Sequence, residues 1–276
     1  FDALIHAFGT AGTGGFSNKA LSVGAYNSPY FEIVIGVFML LFGINFNLYY
    51  FLLLRHFREA FASEEVHVYL GIVAFSTLTI TANIASMYDS VGTALRTAFF
   101  QVSSIITTTG FSTVDFDKWP EFSKGLLVVL MFIGACAGST GGAIKCSRVL
   151  LLLKCIRREI RQVVHPRSVN VVKLDGRVVD EDSLRSVQLF FAAYLFIALG
   201  ATLLVSVDNF SFGTTFTVVV SCIGNVGPGL ELVGPMGNYS AFSGFSKLVL
   251  SLCMLIGRLE VLPVLVLFSR NAWKRS

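Results

Sequence analysis

Five stretches of this chain are apolar for long enough to cross a bilayer as helices: 30–54, 66–87, 125–153, 187–207 and 246–268. A hydrocarbon layer of about 30 Å takes about 20 helical residues. Backbone N–H and C=O groups find no water there, so such segments must satisfy their hydrogen bonds internally. Composition agrees. Of the 276 residues, 54% are hydrophobic and only 14% charged, against roughly 25% charged in a soluble domain. The expected fold class is an all-α membrane protein with several passes, and its first partner is the lipid bilayer.

The net charge of +4 matters less than its placement. Thirteen of the 21 cations, among them Arg55, Arg58, Lys154, Arg157, Arg158 and Arg161, follow the first, third and fifth spans, while the opposite side holds only Lys19, Lys118, Lys124 and Lys247. Lys and Arg collect on the cytoplasmic side of membrane proteins. This asymmetry orients the chain and argues against a nucleic-acid partner. Cys136, Cys146, Cys155, Cys222 and Cys253 lie in or beside apolar runs without metal-ligand spacing and read as small apolar side chains.

Three shorter apolar stretches, 1–11, 91–106 and 212–222, fall on the outer side, and each runs into a Gly/Thr/Asn-rich peptide. Irregular backbone at membrane depth is tolerated only where protein buries it or it lines a wet cavity. The peptides align as Thr13-Gly14-Gly15-Phe16, Thr108-Thr109-Gly110-Phe111 and Asn225-Val226-Gly227-Pro228. Each precedes a long span that carries a mid-span glycine: Gly43, Gly134 or Gly257. The repeating unit is span, re-entrant pore helix, glycine loop, span. Its expected boundaries are 1–58 for a unit lacking its leading span, 64–162 for a unit with a broken second span, and 183–276 for the last. Between the last two, 163–182 is an insert on the cytoplasmic side, where Asp175-Gly176 separates two β-branched runs and predicts a hairpin. The chain opens at Phe1 inside a glycine-rich amphipathic stretch, so a further unit and one span are expected upstream.

Repeated glycine loops at the ends of inward-pointing helices suit a cation filter. A ring of backbone carbonyls replaces an ion's hydration shell, glycine permits the φ values that aim those carbonyls at one axis, and helix C-termini add negative dipole ends. The third span is interrupted by Gly134, Gly138, Ser139, Thr140, Gly141 and Gly142, followed by Lys145. So much glycine disfavours an unbroken helix. The segment reads as a flexible gate loop beneath the filter, with close small-residue helix packing as the alternative. Arg258 and Glu260 are intramembrane charges, which are expensive and face a cavity or a partner. Arg258 reads either as a structural charge held by a local salt bridge or by backbone carbonyls, or as a pore-facing charge that lowers cation occupancy below the filter. Arg96 reads as a structural anchor, and Asn45 and Asn47 as interhelical polar contacts. Asp115, Asp117 and Glu121 form either a solvated face or a negative vestibule. No nucleophile elbow, P-loop or HExxH motif stands in a sensible context, so no enzyme is expected.

Taken together, TAGTGGFS at 10–17, GINFN at 43–47, TTTGFST at 107–113, GACAGSTGGAIK at 134–145, GNVGPG at 224–229 and GRLEVLP at 257–263 resemble the membrane subunit of the bacterial Trk potassium-uptake system, in the Trk/Ktr/HKT superfamily. The resemblance implies four linked potassium-channel-like units around a pseudo-four-fold pore. This chain matches the second, third and fourth. It implies potassium as the substrate at the filter carbonyls, no other cofactor, an intramembrane gate loop at 134–145 and a pore-facing Arg258. It further implies a homodimer in the bacterial inner membrane, regulated by a cytosolic nucleotide-binding ring protein. The competing reading is a secondary cation transporter with discontinuous helices.

Overall fold

The computed structural model describes residues 1–166 and 170–259. The chain is mostly helical. Its helices are α1 (Asp2–Ala11), α2 (Pro29–Phe42), α3 (Phe46–Leu53), α4 (Phe57–Phe61), α5 (Glu64–Ile84), α6 (Val91–Ile106), α7 (Glu121–Phe132), α8 (Cys146–Val164), α9 (Glu181–Val205), α10 (Phe212–Gly224) and α11 (Gly244–Leu259). Between α8 and α9 lies a two-stranded hairpin, β1 (Lys173–Leu174) and β2 (Arg177–Val178). Its antiparallel register pairs Lys173 with Val178 and Leu174 with Arg177. Asp175 and Gly176 both take positive φ, the turn geometry that a right-twisted hairpin prefers.

Among the described residues, two helices are long and apolar enough to cross a membrane: α5, extended to Met87, and α9, extended to Asp208. The 25 residues of α9 rise about 37 Å. The stretch 30–54, expected as one span, is two helices. α2 and α3 meet at 91° across a break at residues 43–45. Gly43 caps the end of the first helix and Asn45 the start of the second, its side chain accepting from Asn47 N at 2.9 Å. Asn45 thus serves as a local cap, the usual work of Asn at a helix start, and its side chain also lies against Gly138 of the distant segment. The expected third span is also interrupted, between α7 and α8. In the fifth, α11 is described to Leu259, while Glu260 and the rest of that span lie outside the described residues.

Three helices end in the interior. α6 begins at a Ser90 cap, with Thr93 N donating to Ser90 Oγ at 3.1 Å, and every residue from Phe100 to Ile106 is buried. α10 is buried from Thr217 to Gly224. α1 is the third, with His6 and Thr10 buried and Phe8 exposed. One apolar cluster gathers α5, α6 and α7 around Tyr69, Ile80, Ala98, Val102 and Leu127. A second joins α9, α10 and α11 through Tyr194, Val219, Cys222, Leu250 and Cys253. All five cysteines are buried and free. Phe38, Phe75, Leu78, Phe196, Leu199 and Leu203 point outward. An outer face this apolar suits lipid rather than water.

Candidate functional site

The three glycine peptides have the same backbone. Thr13, Thr108 and Asn225 each take the left-handed conformation, and so do Gly15, Gly110 and Gly227 two residues later. The hydrogen bonds that stop the preceding helices match as well. Thr13 N, Thr108 N and Asn225 N donate to Thr10 O, Ile105 O and Cys222 O, and Gly14 N, Thr109 N and Val226 N donate to Gly9 O, Ser104 O and Ser221 O. Left-handed non-glycine residues are uncommon. Three at equivalent positions mark one local solution used three times.

The loops also pack edge to edge. A Cβ on Gly15 would fall 1.8 Å from Thr109 O, and one on Gly110 would fall 2.2 Å from Val226 O. At Gly227 the same direction is open. The matched phenylalanines differ in the same way. Phe111 is buried and its ring stacks on His6 at 5.4 Å, whereas Phe16 is 82% exposed. A cavity of about 630 Å³ lies along the loops, lined by Thr13 to Phe16, Thr109, Gly110, Asn225 to Pro228 and Arg258.

Residues 133–145 leave α7, fold back on themselves and return to α8. Gly134 N donates to Ile144 O at 2.8 Å and Ile144 N to Phe132 O at 3.1 Å, which ties the two ends together. The excursion between them touches all three glycine loops. Thr13 Oγ1 donates to Thr140 O at 2.8 Å. Gly142 N donates to Thr108 Oγ1 at 2.6 Å. Ala143 N donates to Gly224 O at 3.0 Å, one residue before Asn225. The break in the first span meets it too, through Cys136 N to Gly43 O at 3.0 Å and Phe46 N to Gly138 O at 3.2 Å. Two interrupted helices thus satisfy backbone groups that each alone would leave unpaired.

Arg258 donates through Nη1 to Thr140 O at 2.9 Å. It lines the loop cavity and also a second space of about 460 Å³ bordered by residues 138–143, Lys145 and Arg148. The Lys145 amine donates to Gly141 O, a polar partner within the same segment. Arg96 pairs with Glu32 at 2.7 Å, joining α6 to α2. Asp117 Oδ1 accepts from Glu231 N at 2.9 Å, and Glu121 pairs with Lys124. Among the described residues, no group of three or more His, Cys, Asp or Glu side chains is placed to hold a metal ion.

Sequence reasoning missed Glu65. It is buried at the start of α5, and its Oε1 accepts from Ala137 N at 2.7 Å and Ser147 N at 2.8 Å. Glu64 and Glu65 look like an ordinary acidic first turn, and nothing in their spacing points to a segment some 70 residues away.

Residues 69–275 match the family model described as TrkH, cation transport protein. The chain belongs to the TrkH family. Over 99% of its length it is 39% identical to the TrkH potassium uptake protein of Salmonella typhimurium and 33% identical to the TrkG potassium uptake protein of Escherichia coli K12. It covers 57% and 56% of those proteins. The crystal structure of the potassium transporter TrkH from Vibrio parahaemolyticus superposes on 99% of the chain with a TM-score of 0.91 at 33% identity, and the chain covers 59% of it. The chain thus spans between half and two thirds of the length of these TrkH-family relatives.

Proposed function

We propose that this chain forms three sides of a gated potassium-selective pore for potassium uptake across a bacterial inner membrane. The observation that carries the reading is the threefold recurrence of one loop backbone, packed edge to edge along a single cavity. In this reading 1–58, 64–162 and 183–276 are successive channel-like units. α1, α6 and α10 are pore helices, and Thr13 to Phe16, Thr108 to Phe111 and Asn225 to Pro228 are filter strands. The open edge at Gly227 and the exposed Phe16 are where a fourth unit closes the ring. Segment 133–145 is the gate, because it touches every loop, and Arg258 adds a positive charge between the two spaces it lines. The hairpin within 163–182 faces the cytoplasm, where a nucleotide-binding ring protein docks on a homodimer. Potassium itself is the substrate.

Potassium, rubidium and sodium flux into liposomes holding the full-length protein tests this. Potassium and rubidium flux well above sodium is expected. Non-selective flux through an open protein overturns the filter assignment. The two interrupted spans also suit a secondary transporter with discontinuous helices. Saturable flux with coupled movement of a second ion favours that reading over a pore.

A further inference from the structure

The segment 133–145 must be held in one arrangement against three loops, yet its own side chains are mostly hydrogen or methyl. Its anchor comes from elsewhere. Glu65 is 7% exposed, and one of its oxygens accepts from Ala137 N and Ser147 N together, at 2.7 and 2.8 Å. Ala137 opens the excursion toward the loops, and Ser147 lies in the first turn of α8 just after it. The first amides of a helix have no partner within it. Lys145, at the N-cap of α8, offers no side-chain cap, so a residue from another helix takes that place. The turn that carries Glu65 is fixed in turn. Glu64 N donates to Asp175 Oδ1 of the hairpin at 2.6 Å, and the Glu64 carboxylate pairs with Lys154 of α8.

We infer that Glu65 is a positioning residue that pins segment 133–145 at Ala137 near its start and at Ser147 just past its end, and that the hairpin steadies it through the first turn of α5. The effect on flux rests on reading that segment as the gate. The positioning itself does not, and the two are measured separately.

Two native cysteines report the position. Cys136 and Cys146 are fully buried, each one residue from an amide that Glu65 holds, while Cys155, Cys222 and Cys253 lie elsewhere in the fold. The experiment is the rate of N-ethylmaleimide labelling at each cysteine in the full-length protein in liposomes, resolved by peptide mass spectrometry. Glu65→Ala is expected to speed labelling of Cys136 and Cys146 about tenfold, which corresponds to about 1.4 kcal/mol, and to leave the other three at the wild-type rate. Glu65→Gln keeps the accepting oxygen and is expected to label as wild type. If Glu65→Ala does not fold, Glu65→Asp, one methylene shorter, takes its place with the same expectation. Wild-type labelling in the Ala or Asp variant overturns the inference. So does equal acceleration at all five cysteines, which marks general loosening. Rubidium flux in the same variants then tests the gate. Selective labelling with unchanged flux upholds the positioning role and overturns the gate reading alone.

Discussion

Arg258 and Thr13, from opposite ends of the chain, donate to the same carbonyl, that of Thr140, at 2.9 and 2.8 Å. The tip of segment 133–145 is therefore clasped between α11 and the first glycine loop. A hydrogen bond from a charged donor contributes about 1.5 kcal/mol at the low end, the end suited to a solvated guanidinium. Arg258→Ala is expected to raise rubidium flux up to about tenfold, by releasing the tip and removing a positive charge from the two cavities it lines. Single-channel or liposome flux measurements check this, and flux at or below wild type counts against it.

Shortening the segment acts more directly. Deletion of several residues within 138–143 removes the donors and acceptors that meet Thr13, Thr108 and Gly224. The expected outcome is higher flux from a protein that still elutes as one species on size exclusion. Normal flux in a folded deletion variant would rule out a barrier at this segment.

Gly110 combines a left-handed φ of +83° with a neighbouring carbonyl, Val226 O, 2.2 Å from where a Cβ would stand. Gly110→Ser must push the second and third loops apart. Potassium-over-sodium selectivity is expected to fall about tenfold, equivalent to about 1.4 kcal/mol. Bi-ionic reversal potentials give the ratio directly, and an unchanged ratio would remove Gly110 from the filter.

Glu231 holds the start of α10. Its carboxylate accepts from Ser211 Oγ, and from Thr214 N and Oγ1 at 3.1 and 2.8 Å. Hydrogen bonds from Ser211 and then Thr214 lower its pKa below the ordinary 4.5. A lowered folded-state pKa contributes stability that is complete above the unfolded value and lost as pH falls through the folded one. Thermal unfolding temperature is therefore expected to drop on acidification below about 4.5, and to drop less in Glu231→Gln.

The arrangement was partly legible in advance. Runs of Leu, Val, Ile and Phe marked the apolar helices, and Asp175-Gly176 marked the hairpin, because both signals depend on neighbours in the chain. The glycine loops could be aligned because each repeats a local backbone solution, with φ > 0 two residues apart. The Gly-rich run at 134–142 announced an interrupted helix for the same reason. The break at residues 43–45 was harder to see. Gly43 and Asn45 are modest stop and start signals inside a strongly apolar run, and the break is completed by Cys136 and Gly138 from far along the chain.

The sequence by itself determined which segments are apolar and that three glycine peptides share one local backbone. Those properties follow from hydrophobic runs and the conformational freedom of single residues. Only the tertiary structure decided what the loops touch. Gly15 against Thr109, Gly110 against Val226, Thr140 between Thr13 and Arg258, and Glu65 across Ala137 and Ser147 are all contacts between distant segments. A buried amide or carboxyl oxygen is satisfied by whichever partner the packing brings within about 3 Å, and no local pattern encodes that partner.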